Sequence, residues 1–377
     1  MIERISNAMK NREYVQEVYQ YIHEKPEIAF EEVRTSAFLA DELEKYGYKV
    51  TRGIGGTTGV LGVLDSGVPG PVLGMRADMD ALKYEIDGKT EYRHACGHDS
   101  HSGMVMAAAR EIADRGIEKG KLYVIFQPGE ESLKGSNSII KSGLFNDMTE
   151  IVGIHLRPIG EAVLGTATAA LWHGGCAPTT IRIKGMTAHG ARPHLGINPV
   201  ETAILMANAI NSIRIDPRVS HSIKITRIDT GVGTVNTIAE EAVMTVDVRC
   251  QNNEEMDKLL EKMNRAIQST AEAMGATAEV DTTYVPAAIY SDEMTATNAE
   301  AICEVLGKEN LVPDIHTPGS EDFHFFAKLL GCKAGYIGLG ADLVPGLHSK
   351  DMKFNTEALY KGVEILVSVV GKRLGYK

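Results

Sequence analysis

Residues 94–101 read His94-Ala95-Cys96-Gly97-His98-Asp99-Ser100-His101, which puts three imidazoles, a thiol and a carboxylate within eight positions. These side chains coordinate a borderline-soft divalent cation: imidazole and thiolate bind directly, and carboxylate acts as a ligand or as the group that orients one. A solvated loop has no use for a thiol beside its histidines, because free Cys is ordinarily buried. The octet follows a strand-like run and precedes a helix expected over 103–115, a place where α/β proteins often carry their chemistry. It supplies only part of a site, so further ligands must come from elsewhere in the chain.

Upstream, the apolar run 71–75 reads as a buried strand and ends in Arg76-Ala77-Asp78-Met79-Asp80. Downstream, 121–126 is a second such strand, followed by Gln127-Pro128-Gly129-Glu130-Glu131, and a third over 151–154 ends at His155. Adjacent carboxylates repel one another unless a cation or a proton relieves them. In isolation the pair could be a solvated turn; beside a metal, one carboxylate ligates while the other serves as a base. His155 alone could equally be a satisfied core residue, but the repeated order of strand then metal-competent side chain argues for a ligand. A late counterpart, His348, lies in the Gly- and Pro-punctuated loop Pro345-Gly346-Leu347-His348. The candidate ligands are therefore Cys96, His98, Glu131, His155 and His348, with Glu130 as candidate base and Asp78 orienting a ligand histidine from behind. Five donors, with Cys96 or a carboxylate bridging, suit two ions about 3.5–4 Å apart better than one. His94 and His101 are left in supporting roles, His101 hydrogen-bonding Asp99.

Helices are expected over 10–23 and 31–46 and strands over 49–52 and 60–64. Near residue 179 the pattern changes to half-exposed alternation. Strands over 179–184, 221–229, 243–250 and 277–284, with helices over 199–213 and 254–274, give the order β-α-β-β-α-β, which is ferredoxin-like. A helix over 291–306, a strand over 334–338 and a helix over 356–373 resume the first style. The chain thus reads as an α/β domain over 1–178 and 291–377 interrupted by an α+β insert over 179–290.

With 377 residues the chain exceeds the size at which single cores stop growing. Its 44% hydrophobic and 24% charged residues are those of an ordinary globular protein, and a net charge of −11 argues against a nucleic-acid partner. Five cysteines without framework spacing suggest a reducing compartment. No stretch is long and apolar enough for a membrane span, and the charged first residues do not read as a signal peptide. A cytoplasmic enzyme is expected.

Taken together, the motifs resemble the dinuclear-metal aminoacylases and carboxypeptidases of the M20 peptidase family. The nearest branch holds hippurate hydrolases, N-acetyl-diaminopimelate deacetylases and indole-acetyl-amino-acid hydrolases. The resemblance spans nearly the whole chain. It rests on His23-x-x-Pro26-Glu27 with Phe30-Glu31-Glu32, on Arg76 to Leu82, on the octet, on Pro128-Gly-Glu-Glu131, on His189-x-x-x-Pro193-His194, on Asn236 and on Gly319 to Phe323. It implies a mixed-sheet zinc-peptidase-like catalytic domain with an inserted ferredoxin-like dimerisation (lid) domain. It also implies two divalent ions (Zn, Mn or Co) on the five ligands, Glu130 as general base and His189 steadying the oxyanion, often across a homodimer. Asn236, Arg249 and His194 would hold the substrate carboxylate. The implied reaction is hydrolysis of N-acyl amino acids. A dipeptidase or carboxypeptidase is the alternative, and a non-catalytic metal- or ligand-binding protein is the alternative of another class. The sequence departs from the family pattern at Lys83, where a Pro is usual, in the short segment 84–93, and in Leu171-Trp172-His173-Gly174-Gly175-Cys176. These departures bear on acyl and amino-acid preference rather than on the chemistry.

Overall fold

Strands that read as unbroken apolar runs must be covered on both faces, which suits a largely parallel sheet under helices. The computed structural model describes residues 2–231 and 233–377, with the backbone alone for 2–10. In space the sheet runs Lys49–Ile54, Gly59–Asp65, Lys121–Gln127, Val72–Asp78, Glu150–Pro158, Lys333–Leu343, Ala167–Thr168, Leu311–Val312. The central four strands are mutually parallel, and the first three strands are joined antiparallel, so the sheet is mixed. Val72–Asp78 is buried along its whole length. One core joins the sheet to Val15, Val18 and Ile22 of the helix Ile2–His23, to Met104 and Val105 of His98–Arg115, and to Leu359, Val363 and Leu366 of Glu357–Leu374.

The chain divides into two compact units. The first holds the residues up to Trp172 with Ile289–His316 and Asp322–Lys377, and the second holds His173–Ala288 with Thr317–Glu321. The short segment Thr317–Glu321, read from sequence with the final α/β part, is tied to the second unit. Gly174 N–H donates to Thr317 O at 3.2 Å and Gln251 Nε2 donates to the same oxygen at 3.2 Å.

In the second unit, Thr179–Lys184, His221–Asp229, Glu241–Cys250 and Thr277–Thr282 pair antiparallel in the spatial order fourth, first, third, second. That is the ferredoxin-like arrangement. Strict in–out alternation along Glu241–Cys250 turns Met244, Val246 and Val248 onto Met206 and Ile210 of the helix Pro199–Asn211 and Leu259, Met263 and Ile267 of Asn253–Ala273. Both helices start on Asn caps: Asn198 Oδ1 accepts from Val200 N–H and Asn252 Oδ1 from Glu255 N–H, each at 3.0 Å.

Two element boundaries differ from the sequence reading where it matters for function. The helix expected from 103 begins at His98, so half of the octet is helical. The strand expected to stop before His155 continues to Pro158, so His155 lies inside a strand. In both cases tertiary contacts override weak local propensity, for His-Asp-Ser-His favours no helix by itself. No helix among the described residues is long and apolar enough to cross a membrane.

Candidate metal centre

Parallel pairing brings the C-terminal ends of Val72–Asp78, Lys121–Gln127 and Glu150–Pro158 to one edge of the sheet, with Asp78 opposite Gln127. The carboxylates of Asp78, Asp80, Glu130 and Glu131 therefore gather there, beside His155. Gly97, at φ 89°, turns the chain sharply from Cys96 into the helix, a conformation that costs glycine little. His98 and His101 follow on the first turn, one above the other. Gly129, at φ 61°, makes the corresponding turn ahead of Glu130, and a Cβ there would lie 2.8 Å from Phe30 Cζ.

Two clusters of ligand-type atoms, each within 4.8 Å of one another, share the Cys96 thiol: Cys96 with His98 and His155, and Cys96 with Glu131 and His348. His155 Nε2 stands 3.6 Å from Cys96 Sγ, while its Nδ1 donates to Leu156 O at 2.7 Å, which leaves Nε2 with its lone pair toward the cluster. His348 Nε2 lies 3.5 Å from Glu131 Oε1. His98 Nε2 lies 3.9 Å from both Glu130 Oε2 and Glu131 Oε1. Glu131 Oε1 is buried without a hydrogen-bond partner, and so are both ring nitrogens of His94. A buried carboxylate oxygen without a donor, beside imidazoles and a thiol, fits a cation better than an empty polar pocket. The five sequence-predicted ligands are thus brought together, with Glu130 beside them.

Supporting roles differ from expectation in two respects. Asp78 does not hydrogen-bond a candidate ligand: it accepts from His101 Nδ1 at 2.7 Å and from Arg76 at 2.7 Å, and stays 3.8 Å from His98 Nε2. Asp80 is the residue that orients His98, which meets its backbone O at 3.0 Å and its Oδ1 at 3.1 Å, while Asp80 Oδ2 accepts Glu131 N–H at 2.9 Å. His101 bonds Asp78 rather than Asp99, and its Nε2 accepts Leu156 N–H at 3.1 Å, so both of its nitrogens are committed. Asp99 is instead held by His23 Nδ1 at 2.6 Å. Sequence reading also missed Glu32, fully buried, whose Oε1 accepts Gly129 N–H at 2.8 Å and so fixes the turn that presents the glutamate pair. The available signals were the two-residue spacing of Asp78 and Asp80, and the presence of Glu32 in a family motif for which no role was assigned.

Burial sets the charge states. It pushes the Glu131 carboxyl up to about 7, with Asp80 and Asp78 adding to the rise against His98, and it raises the Cys96 thiol well above its ordinary range with help from Glu131. Burial also lowers His155 and His348, which favours the neutral, ligating imidazole. Asp78 is pushed up by burial too, but His98, Arg76 and His101 outweigh this and hold it well below the usual carboxylate range. Arg76 is fully buried and shared further with Gln127 at 2.9 Å and Asp322 at 3.3 Å, whose own N–H meets Glu130 Oε1 at 3.4 Å.

The remaining candidates lie in the second unit. Ala188–His189 pairs with Thr237–Ile238, and Gly190 N–H donates to Asn236 O at 2.7 Å, so His189 and Asn236 are neighbours, both exposed. His189 Nδ1 accepts Ala191 N–H at 3.0 Å, which places the neutral ring's proton on Nε2. His194 is exposed in the short turn Pro193–Leu195. Arg249 pairs with Asp247 at 3.0 Å and reaches Ser320 Oγ at 3.4 Å.

Fold and donor cluster together are those of a metal-dependent hydrolase. The chain belongs to peptidase family M20/M25/M40, whose profile matches residues 74–372. It is 30% identical over 374 residues to the hippurate hydrolase of Campylobacter jejuni, covering 95% of this chain and 96% of that one. It is 31% identical over 347 residues to thermostable carboxypeptidase 2 of Saccharolobus solfataricus, covering 86% of each. Among solved structures, a dinuclear metal-binding peptidase of the M20 family from Bacillus subtilis shares the fold, with a TM-score of 0.78 at 24% identity over 97% of this chain and 99% of that one.

Proposed function

We propose that this chain hydrolyses the amide bond of N-acyl amino acids, R-CO-NH-CHR′-COO⁻, with two divalent ions held by Cys96, His98, Glu131, His155 and His348 and with Glu130 as general base. The observation that carries the reading is the Cys96 thiol shared between two ligand clusters, with Glu130 beside His98 and Glu131. Bound there, the ions would polarise the amide carbonyl and bring the pKa of water close to neutrality. Glu130, buried beside the cluster, takes the proton of the attacking water and passes it to the leaving nitrogen. His189, with its proton on Nε2, is in the donor form that an oxyanion requires. Asn236, its neighbour, together with His194 and Arg249, holds the substrate carboxylate in this reading. Asp78 acts behind the cluster by keeping His101 and Arg76 in place.

The active form is proposed to be a homodimer through the second unit. Its outer strand His221–Asp229 pairs along one edge, and Ile204 and Leu205 of the helix Pro199–Asn211 stand exposed. Five free cysteines accord with a cytoplasmic location.

Removal of metal with a chelator should abolish turnover of N-acetyl- and N-benzoyl-amino acids, and Zn²⁺, Mn²⁺ or Co²⁺ should restore it. Glu130→Ala should lower kcat by about 10²–10⁴-fold with metal content unchanged; turnover close to that of the unaltered protein would sink the mechanism. The carboxypeptidase relative at 31% identity favours a second reading, cleavage of small peptides. Dipeptides assayed beside the acyl amino acids separate the two.

A further inference from the structure

Four of the five proposed ligands are buried or nearly so, whereas the His348 side chain is 57% exposed. Its backbone is also unusual: φ is 62°, a left-handed conformation that a non-glycine residue keeps only where its neighbours hold it. The neighbours come from residues 84–95. His348 N–H donates to Ala95 O at 2.6 Å, one residue before Cys96. The Tyr84 hydroxyl donates to His348 O at 2.8 Å, and Arg93 donates to Lys350 O at 2.7 Å.

Tyr84 and Arg93 belong to the hairpin formed by Leu82–Ile86 and Lys89–Arg93, closed by Asp87 and Gly88 at φ 51° and 75°. Two central residues with positive φ make the tight hairpin turn whose twist matches its strands. Alternation leaves Leu82, Tyr84, Glu91 and Arg93 on the half-buried side, and a 2.6 Å ion pair with Glu91 aims the Arg93 guanidinium. This is the segment, with Lys83, where the sequence departs from the family pattern.

We infer that Tyr84, supported by Arg93, is a positioning residue: it holds the His348 backbone and thereby sets the occupancy of the metal position formed by Cys96, Glu131 and His348. The inference rests on the dinuclear reading above. The other position shares Cys96, but its histidines, His98 and His155, are held by Asp80 and by Leu156 O.

The test is equilibrium dialysis of the metal-free full chain against graded free Zn²⁺, with bound zinc per chain measured by elemental analysis. The proteins are the unaltered chain, Tyr84→Phe, His348→Ala as the reference for a lost ligand, and Lys89→Ala at the turn end as a control. The unaltered chain and Lys89→Ala should take up two ions. Tyr84→Phe should bind the first as tightly and the second about tenfold or more weakly, approaching the profile of His348→Ala. A purely structural defect would weaken both ions together, and that result overturns the inference, as does a Tyr84→Phe profile equal to that of the unaltered chain. Saturation of the unaltered chain below two ions overturns the dinuclear reading itself, and this inference with it.

Discussion

At the scale of single residues, burial decides the direction in which four of the donors shift, Cys96, Glu131, His155 and His348, whereas Asp78 and its neighbours raise His98 against burial. Glu131, pushed up to about 7, and Cys96, raised well above its usual range, hold protons in the metal-free protein at mildly acidic pH. An ion that takes them as ligands must displace those protons, so apparent metal affinity should rise as pH increases from about 6 to 8. Calorimetric titration with Zn²⁺ in buffers of different ionisation enthalpy should show net proton release, larger at pH 6 than at pH 8. Heats independent of the buffer would refute this account. The residue types at the centre were legible in the sequence because Cys with His, a glutamate pair and a further His each follow a strand-like run, a repetition that a metal site explains. The partner of each histidine was not legible, since Asp78 and Asp80 are chemically identical and two positions apart. Only the path of the chain after Val72–Asp78 gives His98 to Asp80 and His101 to Asp78.

Among elements, the segment before the helix Val33–Lys45 links the periphery to the site. No side chain caps this helix from its own N-cap position, Glu32. Glu27 does so from outside, accepting Arg34 N–H at 3.1 Å and Thr35 N–H at 2.9 Å, while its backbone O accepts Ala81 N–H at 2.8 Å, next to Asp80. Burial pushes the Glu27 carboxyl up, but the Thr35 and Arg34 donors outweigh this and hold it below its ordinary 4.5. A lowered folded pKa means that its contribution to stability is complete above about 4.5 and is lost as pH falls through the folded value. Glu27→Ala should therefore cost about 0.5–2 kcal/mol at pH 7 and much less near pH 3. Denaturant titrations at the two pH values measure this, and an equal loss at both would exclude the cap. Periodicity placed the helix Val33–Lys45 to within two residues of its expected span, but the helix expected over 10–23 begins at Ile2 and the strand expected over 334–338 runs over Lys333–Leu343. The functional ends of elements were harder to read, because His98 starts a helix and His155 sits within a strand for reasons of sheet packing.

For the whole molecule, the second unit raises the question of assembly. A ferredoxin-like sheet with an outer strand paired on one edge, beside exposed Ile204 and Leu205, offers both backbone and apolar surface to a second copy. Ile204→Glu with Leu205→Glu should convert the proposed dimer to a monomer in light scattering, with circular dichroism unchanged. If His189 acts across the dimer, turnover should fall with the mass, whereas metal uptake by the first unit should not. A mass that stays dimeric would place the contact on another face.

The sequence by itself determined the chemistry and the class of architecture. Ligand-type residues at strand ends follow from local order, and the ferredoxin-like succession follows from periods of two and 3.6 residues. Tertiary structure alone decided which carboxylate serves which histidine, that the Cys96 thiol lies between two clusters, and that residues 84–93 reach His348. Those relations depend on parallel strand pairing and on contacts between residues up to 264 positions apart, which no local pattern encodes.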